Sequence, residues 1–213
     1  MESKELEKKI LQIATESEKI MSESLKAAHD FEHVRRVYNL GIKIGEAENA
    51  DMAILRPAIL MHDLGRIVED GKVHHSKLSV PRAKSLLEKV DYPKKYWKPI
   101  LYAIENHSWR NSVNTLEAKI LQDADKLDAL GAIGIARGFT YGGVRNRIEY
   151  CPKDPFFRQK REEENCSVDH MYTKILKLKG LMHTRKGKEI AKEREEFLLE
   201  FLKRLEKELN GEL

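Results

Sequence analysis

Residues 58–67, AILMHDLGRI, place an adjacent His62–Asp63 pair inside an otherwise apolar segment. Burying an unpaired charge costs several kcal/mol, so such groups are normally paired, hydrogen-bonded or bound to a metal ion. The pair therefore lies either at the mouth of a cavity or in a local polar network. The polar residues that other helices place near this pair decide between these two alternatives.

Apolar residues recur every three or four positions along most of the chain, which is typical of helices with one buried face. The predicted helices cover about 4–22, 31–47, 51–62, 78–90, 97–107, 115–129, 168–178 and 186–208. Asp30 and Asp51 are predicted N-caps, and Pro57 is predicted to kink or restart the third helix. The sequence therefore predicts an all-α fold, a helical bundle that forms a single domain over residues 1–213.

Several polar side chains fall on the inward faces of these predicted helices. His33, His62 and His107 each lie three or four positions from apolar residues of their own helix, so all three are expected to point inward. Asp63 follows His62 directly, and Asp125 shares a helix face with Ala118 and Leu121. Imidazole nitrogens and carboxylate oxygens together suit manganese, iron, cobalt, nickel or zinc. A divalent ion that neutralises the carboxylates would explain why these groups are buried.

The composition argues against several classes of protein. The chain is 41% hydrophobic and 35% charged, as in globular proteins. It has no apolar run of the roughly 18 residues that a membrane helix needs, and no signal-peptide pattern, so a cytoplasmic location is expected. Aromatic residues make up only 7% and the net charge of +4 is spread out, so no nucleic-acid partner is expected. Cys151 and Cys166 are expected to be free thiols.

Four segments resemble the HD superfamily of metal-dependent phosphohydrolases, which is defined by an H…HD…D pattern on a helical scaffold. They are HDFEHVRRV (29–37), ILMHDLGR (59–66), ENHSW (105–109) and LQDADKLDALGAIGIAR (121–137), within a motif-bearing core of about 20–137. The resemblance implies that His33, His62, Asp63 and Asp125 bind one divalent transition metal ion, with magnesium as an ion that could accompany the substrate. It also implies that the ion activates a water molecule for attack on phosphorus.

A longer resemblance covers nearly the whole chain and concerns a subgroup of small stand-alone HD hydrolases. It rests on DADKLDALGAIGIAR (123–137), SVDHMYTKILKL (167–178) and MHTRKGKEIAKERE (182–195). Some members of that subgroup hydrolyse nucleoside triphosphates to monophosphates and pyrophosphate, so this reaction is the activity we expect. The alternatives are a nucleotide monophosphatase or phosphodiesterase, and a nucleotide sensor without catalysis.

The resemblance also suggests roles around the metal. Arg66 occupies a position where related proteins often carry a lysine or arginine, and its guanidinium could bind a phosphate group. A surface arginine without such a role is an equal alternative. His107 could bind substrate, supply a proton or bind a second metal ion, for which His74 or His75 could provide a further ligand. The short spacing favours one ion, with His107 beside it. The general acid stays unassigned, with Glu69 and Asp70 as candidates.

The remaining candidates lie towards the carboxyl end. Asp128 is a candidate catalytic residue, with a polar network as the alternative. The predicted substrate contacts are Lys126, Arg137, His170 and Lys174. Residues 138–167, rich in glycine, proline and charge, are predicted to be an irregular lid or binding loop. The terminal helices are expected to serve packing, and their apolar stripes are compatible with a homodimer.

Overall fold

The computed structural model describes residues 2–22, 31–69, 71–159 and 166–213, so Asp30 and Asp70 lie outside the described residues. This part of the chain forms helices and one isolated bridge, between Ile148 and Cys166, with no strand. The α-helices are α1 (Glu2–Ser22), α2 (Phe31–Glu48), α3 (Met52–Met61), α4 (His75–Lys89), α5 (Trp97–Glu105), α6 (Leu116–Leu127), α7 (Gly131–Val144), α8 (Ser167–Thr173) and α9 (Arg185–Leu209). The prediction of an all-α fold is confirmed.

The chain divides into two compact units, Met1–Asp125 and Lys126–Leu213. The single domain inferred from the sequence therefore stays a prediction. None of the described helices combines the length and hydrophobicity that crossing a bilayer requires.

Helix α3 is the centre of the first unit and packs against α1, α2 and α5. Its side chains are buried on nearly every side, and Leu55, Ile59 and Met61 have no exposed surface. A helix that is apolar all round is stable only inside a core. The end of α3 therefore delivers His62 and Asp63 into the protein interior.

Helix α3 runs through Pro57 without a break, so the predicted restart does not occur. Proline has no N–H with which to bond the carbonyl four residues earlier, that of Ala53. The hydroxyl of buried Tyr92 donates to that carbonyl at 2.7 Å instead. The predicted cap is present, since the Asp51 carboxylate accepts from the Ala53 N–H at 2.9 Å.

Gly65 lies where the turn after His62 and Asp63 meets α4. Its N–H donates to the Ser79 hydroxyl at 2.8 Å, and a Cβ there would lie 2.3 Å from the His75 carbonyl oxygen and 2.6 Å from the Ser79 nitrogen. Because both are backbone atoms, we expect Gly65→Ala to lower the free energy of unfolding by about 1–3 kcal/mol.

Denaturant titration of the purified variant measures this loss of stability. Gly143→Ala is the matched control, since a Cβ at this exposed helical position would meet no atom within 4 Å. The control is expected to be neutral or to stabilise by up to about 1 kcal/mol. Equal stability of the two variants would show that the contact at Gly65 is not tight.

The second unit departs from the predicted boundaries in two places. Helix α7 extends to Val144, so the irregular segment begins later than the predicted residue 138. Glycine is needed in this helix where it touches α8, because a Cβ on Gly142 would lie 2.1 Å from the Ser167 hydroxyl. The helix predicted over 168–178 ends early, and Ile175–Leu181 forms a 3-10 helix. Apolar spacing of three to four residues does not distinguish these two helix types.

The prediction of free thiols is wrong, because Cys151 and Cys166 form a disulfide across 15 positions of sequence. Two backbone hydrogen bonds bring the segments together: the Ser167 N–H donates to the Ile148 carbonyl and the Val168 N–H to the Glu149 carbonyl, each at 2.9 Å. This pairing is a tertiary feature that the cysteine count could not predict.

Candidate metal centre

Three elements of the first unit carry the predicted metal-binding side chains. Helix α2 carries His33, the end of α3 carries His62 and Asp63, and α6 carries Asp125. The first three are buried, with 3%, 0% and 2% of their surface exposed, and 29% of the Asp125 side chain is exposed. The expected inward orientation of both histidines is confirmed. The cluster is therefore buried except at Asp125.

The nitrogen and oxygen atoms of these four side chains converge. The His33 Nε2 atom lies 3.3 Å from Asp125 Oδ1 and 3.7 Å from Asp63 Oδ2. The His62 Nε2 atom lies 3.8 Å from the same Asp63 oxygen. One atom each from His33, His62 and Asp125 also lie within 4.8 Å of one another. One cation at the centre of these atoms could be bound by all four residues.

The hydrogen bonding of His62 supports a cation at this place. Its Nδ1 atom lies 2.7 Å from the Ile59 carbonyl oxygen and must donate there, which leaves Nε2 with a lone pair. This Nε2 atom is buried and has no hydrogen-bond partner among the described residues. A buried acceptor without a donor is costly, and a bound cation would remove that cost. The residues therefore fit a divalent ion.

A second group of atoms faces the other oxygen of Asp63. The Nε2 atoms of His75 and His107 lie 3.1 Å apart, and they are 3.4 and 3.6 Å from Asp63 Oδ1. The Nδ1 atom of His75 bonds Glu69 at 3.1 Å, and that of His107 donates to the Ile104 carbonyl at 2.7 Å. With both Nδ1 atoms donating, two Nε2 lone pairs face each other. Ligands bound at about 2.0–2.2 Å to one ion lie about 3–3.5 Å apart, which matches this spacing.

Burial keeps His62 and His75 neutral by lowering their pKa values. It is the largest cause that lowers the pKa of His62 to about 4, and Asp63 opposes it without overcoming it. Burial is likewise the main cause that lowers the pKa of His75 to about 3. Neutral imidazoles are the form that binds metal ions. Both rings are therefore ready to act as ligands at neutral pH.

The two aspartates are ionised in the same surroundings. Burial would raise the pKa of Asp63, but electrostatic interactions with the His62 ring and the Arg66 guanidinium hold it well below its usual value. Burial would also raise the pKa of Asp125, and hydrogen bonding and charge interaction with His33 outweigh it and lower the pKa. These two carboxylates stand beside the neutral imidazoles of His62 and His75, and their negative charge attracts a divalent cation.

Arg66 and Glu69 surround the cluster on the side of Asp63. The Arg66 Nε atom donates to Asp63 at 3.3 Å, and its Nη1 atom donates to Glu69 at 3.1 Å. Glu69 also accepts from the backbone N–H of His75 at 3.2 Å. One glutamate thus fixes the positions of both Arg66 and His75. The sequence considered Glu69 only as a proton carrier, and this orienting role was missed.

Gln122 is a second residue that the sequence did not single out. It is buried on α6, and its Nε2 atom donates to the carbonyls of Asn106, Ser108 and Asn111 at 2.8, 2.9 and 2.9 Å. These carbonyls belong to the turn that carries His107, so Gln122 holds this turn in place. Its position on α6, one turn before the candidate ligand Asp125, was the sequence feature that could have indicated this role.

The other histidine candidate for a second ion, His74, has a different role. Its ring accepts from the Ser76 N–H at 3.3 Å and caps the start of α4. His75, the next residue, is the one that points into the cluster, with 5% of its surface exposed.

The remaining predicted site residues belong to the second unit. Asp128 is buried and pairs with Arg137 at 2.5 Å, the pairing left open as the alternative to catalysis. The Lys126 ammonium donates to the Leu181 carbonyl at 2.5 Å. His170 lies on α8, and Lys174, which is exposed, is the first residue after the end of this helix. Their roles in catalysis and substrate binding stay predictions.

Comparison with known proteins identifies the family of this chain. A family model described as HD domain matches residues 30–130. The Bacillus subtilis protein YpgQ is 34% identical in an alignment of 206 positions that covers 94% of this chain and 93% of YpgQ. The chain therefore belongs to the HD-domain family, and the predicted resemblance is confirmed.

Solved structures of two relatives share the fold over nearly their whole length. An HD-superfamily hydrolase from Bacillus thuringiensis is 33% identical with a TM-score of 0.79, covering 96% of this chain and 98% of its own. Bacillus subtilis YpgQ in complex with ADP is 33% identical with a TM-score of 0.77, covering 96% of each chain. The protein is thus an HD-superfamily hydrolase by family.

Proposed function

We propose that this protein is a metal-dependent phosphohydrolase of small nucleotides, and that it hydrolyses nucleoside triphosphates to monophosphates and pyrophosphate. The observation that carries the proposal is the convergence of His33, His62, Asp63 and Asp125 around a buried imidazole lone pair. The ADP complex of the relative YpgQ supports a nucleotide ligand.

In this proposal the four side chains hold a divalent ion such as manganese, nickel, cobalt, iron or zinc, and magnesium could accompany the substrate. When bound, such an ion supplies an acidified water and positive charge beside a phosphoryl group. The carbonyl of Ile59 accepts from His62 Nδ1, which leaves the Nε2 lone pair able to bind such an ion. Arg66 adds positive charge beside Asp63, which favours an anionic substrate at this end of the cluster.

Product analysis tests the reaction. The purified protein is incubated with a panel of ribo- and deoxyribonucleoside mono-, di- and triphosphates and manganese, cobalt or nickel, and pyrophosphate and phosphate are measured separately. The expected result is one pyrophosphate per triphosphate consumed. Phosphate from monophosphates would favour the monophosphatase, and cleavage of cyclic or dinucleotide diesters the phosphodiesterase. Tight nucleotide binding without products with any metal would favour the sensor and contradict the enzymatic proposal.

We further propose a second ion between His75, His107 and Asp63, because the two facing lone pairs favour a cation there. The sequence pattern favoured one ion, whereas the facing Nε2 atoms of His75 and His107 favour two. His75→Gln is expected to lower the manganese content from two equivalents to one, as measured by elemental analysis after saturation and desalting. His74→Gln, a change of the neighbouring ring that caps α4, is expected to retain both. One equivalent in the unmodified protein would contradict the second position and leave the first intact.

A further inference from the structure

Cys151, Cys166 and Asp169 form a second cluster of ligand-type side chains, in the unit Lys126–Leu213. One atom from each lies within 4.8 Å of the other two. Cys166 and Asp169 are fully buried and Cys151 is half-buried, and the two cysteines are joined as a disulfide. They are the only cysteines of the chain. The proposed nucleotide chemistry uses none of these groups.

The carboxylate of Asp169 faces a sulfur atom that cannot donate to it. The Cys151 sulfur lies 3.6 Å from Asp169 Oδ2, and a disulfide sulfur carries no hydrogen. After reduction the same sulfur could donate as a thiol, or share a cation with the carboxylate as a thiolate. The contact between sulfur and carboxylate is therefore favourable only when the pair is reduced.

Backbone hydrogen bonds also join the two segments that carry this cluster. The N–H groups of Ser167 and Val168, just after Cys166, donate to the carbonyls of Ile148 and Glu149, just before Cys151, at 2.9 Å each. The Cα atoms of the cysteines lie 5.8 Å apart. Side-chain rotation alone can move two sulfur atoms to the roughly 3.8 Å that separates thiolates on one zinc ion with Zn–S bonds of about 2.3 Å.

We infer that, in the reduced protein, Cys151, Cys166 and Asp169 bind a thiophilic divalent cation of the zinc class. Two thiolates and one carboxylate are ligands that zinc accepts, and they leave a fourth position for water. A sulfur and an oxygen bound to one tetrahedral ion lie about 3.5 Å apart, close to the 3.6 Å observed. The disulfide and the metal complex exclude each other, so the redox state of the cysteines controls the site.

In a cell, a dithiol would be the reductant of the Cys151–Cys166 disulfide. The dithiol gives two electrons and two protons to the disulfide, becomes a cyclic disulfide itself, and leaves two thiols on the protein. Cation binding then releases one proton from each thiol. In the experiment a phosphine is the reductant, because it adds no competing thiol. It takes the oxygen of one water to become a phosphine oxide, and the two hydrogens go to the sulfurs.

Cobalt titration followed by absorbance spectroscopy tests the inference. Thiolate-to-cobalt charge-transfer bands can come only from these two cysteines, so the centre at Asp63 does not contribute to them. We expect bands that saturate at one equivalent in the phosphine-reduced protein and disappear on competition with zinc, and none in the oxidised protein.

Three variants sharpen the result. Cys166→Ser is expected to lose the two-thiolate spectrum, and Asp169→Asn to bind cobalt at least about tenfold more weakly. Asp63→Ala is expected to keep the thiolate bands unchanged, because Asp63 is not a ligand of the cysteine site. The cysteine site and the proposed hydrolase centre can therefore be contradicted independently. Circular dichroism confirms that each variant is folded. A reduced wild-type protein without thiolate bands would overturn the inference, as would an Asp169→Asn variant that binds as tightly as wild type.

Discussion

Replacing Asp63 by asparagine is expected to remove the bound metal and to lower kcat/KM for nucleotide hydrolysis by at least about 10³-fold. Both carboxylate oxygens of Asp63 face imidazole nitrogens, one towards His33 and His62 and the other towards His75 and His107. Asparagine keeps the shape but loses the charge and one oxygen. A loss of about 4 kcal/mol of transition-state stabilisation, as expected when a catalytic metal is removed, corresponds to about 10³-fold in rate.

Elemental analysis and pyrophosphate release measure the two effects on the same preparation. Asp91→Asn is the matched control, because it makes the same chemical change on a side chain that is 99% exposed. The control is expected to retain metal and activity. An Asp63→Asn protein that is folded, loaded with metal and within tenfold of wild-type activity would contradict the proposed centre.

The sequence predicted the first half of the candidate centre because its signals are local. His33, His62 and Asp125 occupy positions fixed by helical periodicity, and periodicity also determines which side of a helix is buried. Asp63 follows from its adjacency to His62. The order of these residues along the chain was enough to propose one ion, and their convergence in the structure supports that proposal.

The second half of the centre depends on features with no local signal. His75 points inward because Glu69 bonds both its ring and its backbone N–H, and Gly65 lets α4 approach the turn closely. These contacts join residues six to fourteen positions apart across an irregular turn. Periodicity does not extend through such a turn, so the sequence could not choose between His74 and His75.

Two features of the fold illustrate the same limit. At Pro57 the local rule predicted that the helix would kink or restart. The helix continues to Met61, and a hydroxyl from Tyr92, which lies 39 positions from the accepting carbonyl, replaces the missing hydrogen bond. At Cys151 and Cys166 the local rule predicted thiols, and backbone pairing of the flanking residues brought the sulfurs together. In both cases a tertiary contact overrode a rule that holds for isolated segments.

Removing divalent ions with a chelator is expected to abolish hydrolysis and to lower the melting temperature. A ligand that binds only the folded state at 100 times its Kd stabilises by about 2.7 kcal/mol, which for a chain of this size is about 5–11 °C in Tm. The stabilisation arises here because the ion would satisfy the buried His62 lone pair and neutralise the carboxylates of Asp63 and Asp125. Differential scanning calorimetry with and without chelator, followed by manganese added back in excess, measures the shift.

The Asp63→Asn variant decides whether the shift comes from this centre. Its melting temperature is expected to be insensitive to chelator and to added manganese, because it lacks the carboxylate shared by both groups of histidines. The scans are run without reductant, so that the cysteines stay paired and the thiolate site makes no contribution. A shift of equal size in the variant would place the stabilising ion elsewhere in the protein. No shift in the wild-type protein would mean that the buried imidazole and carboxylates are stable without a cation, and the metal-dependent mechanism would then lose its physical basis.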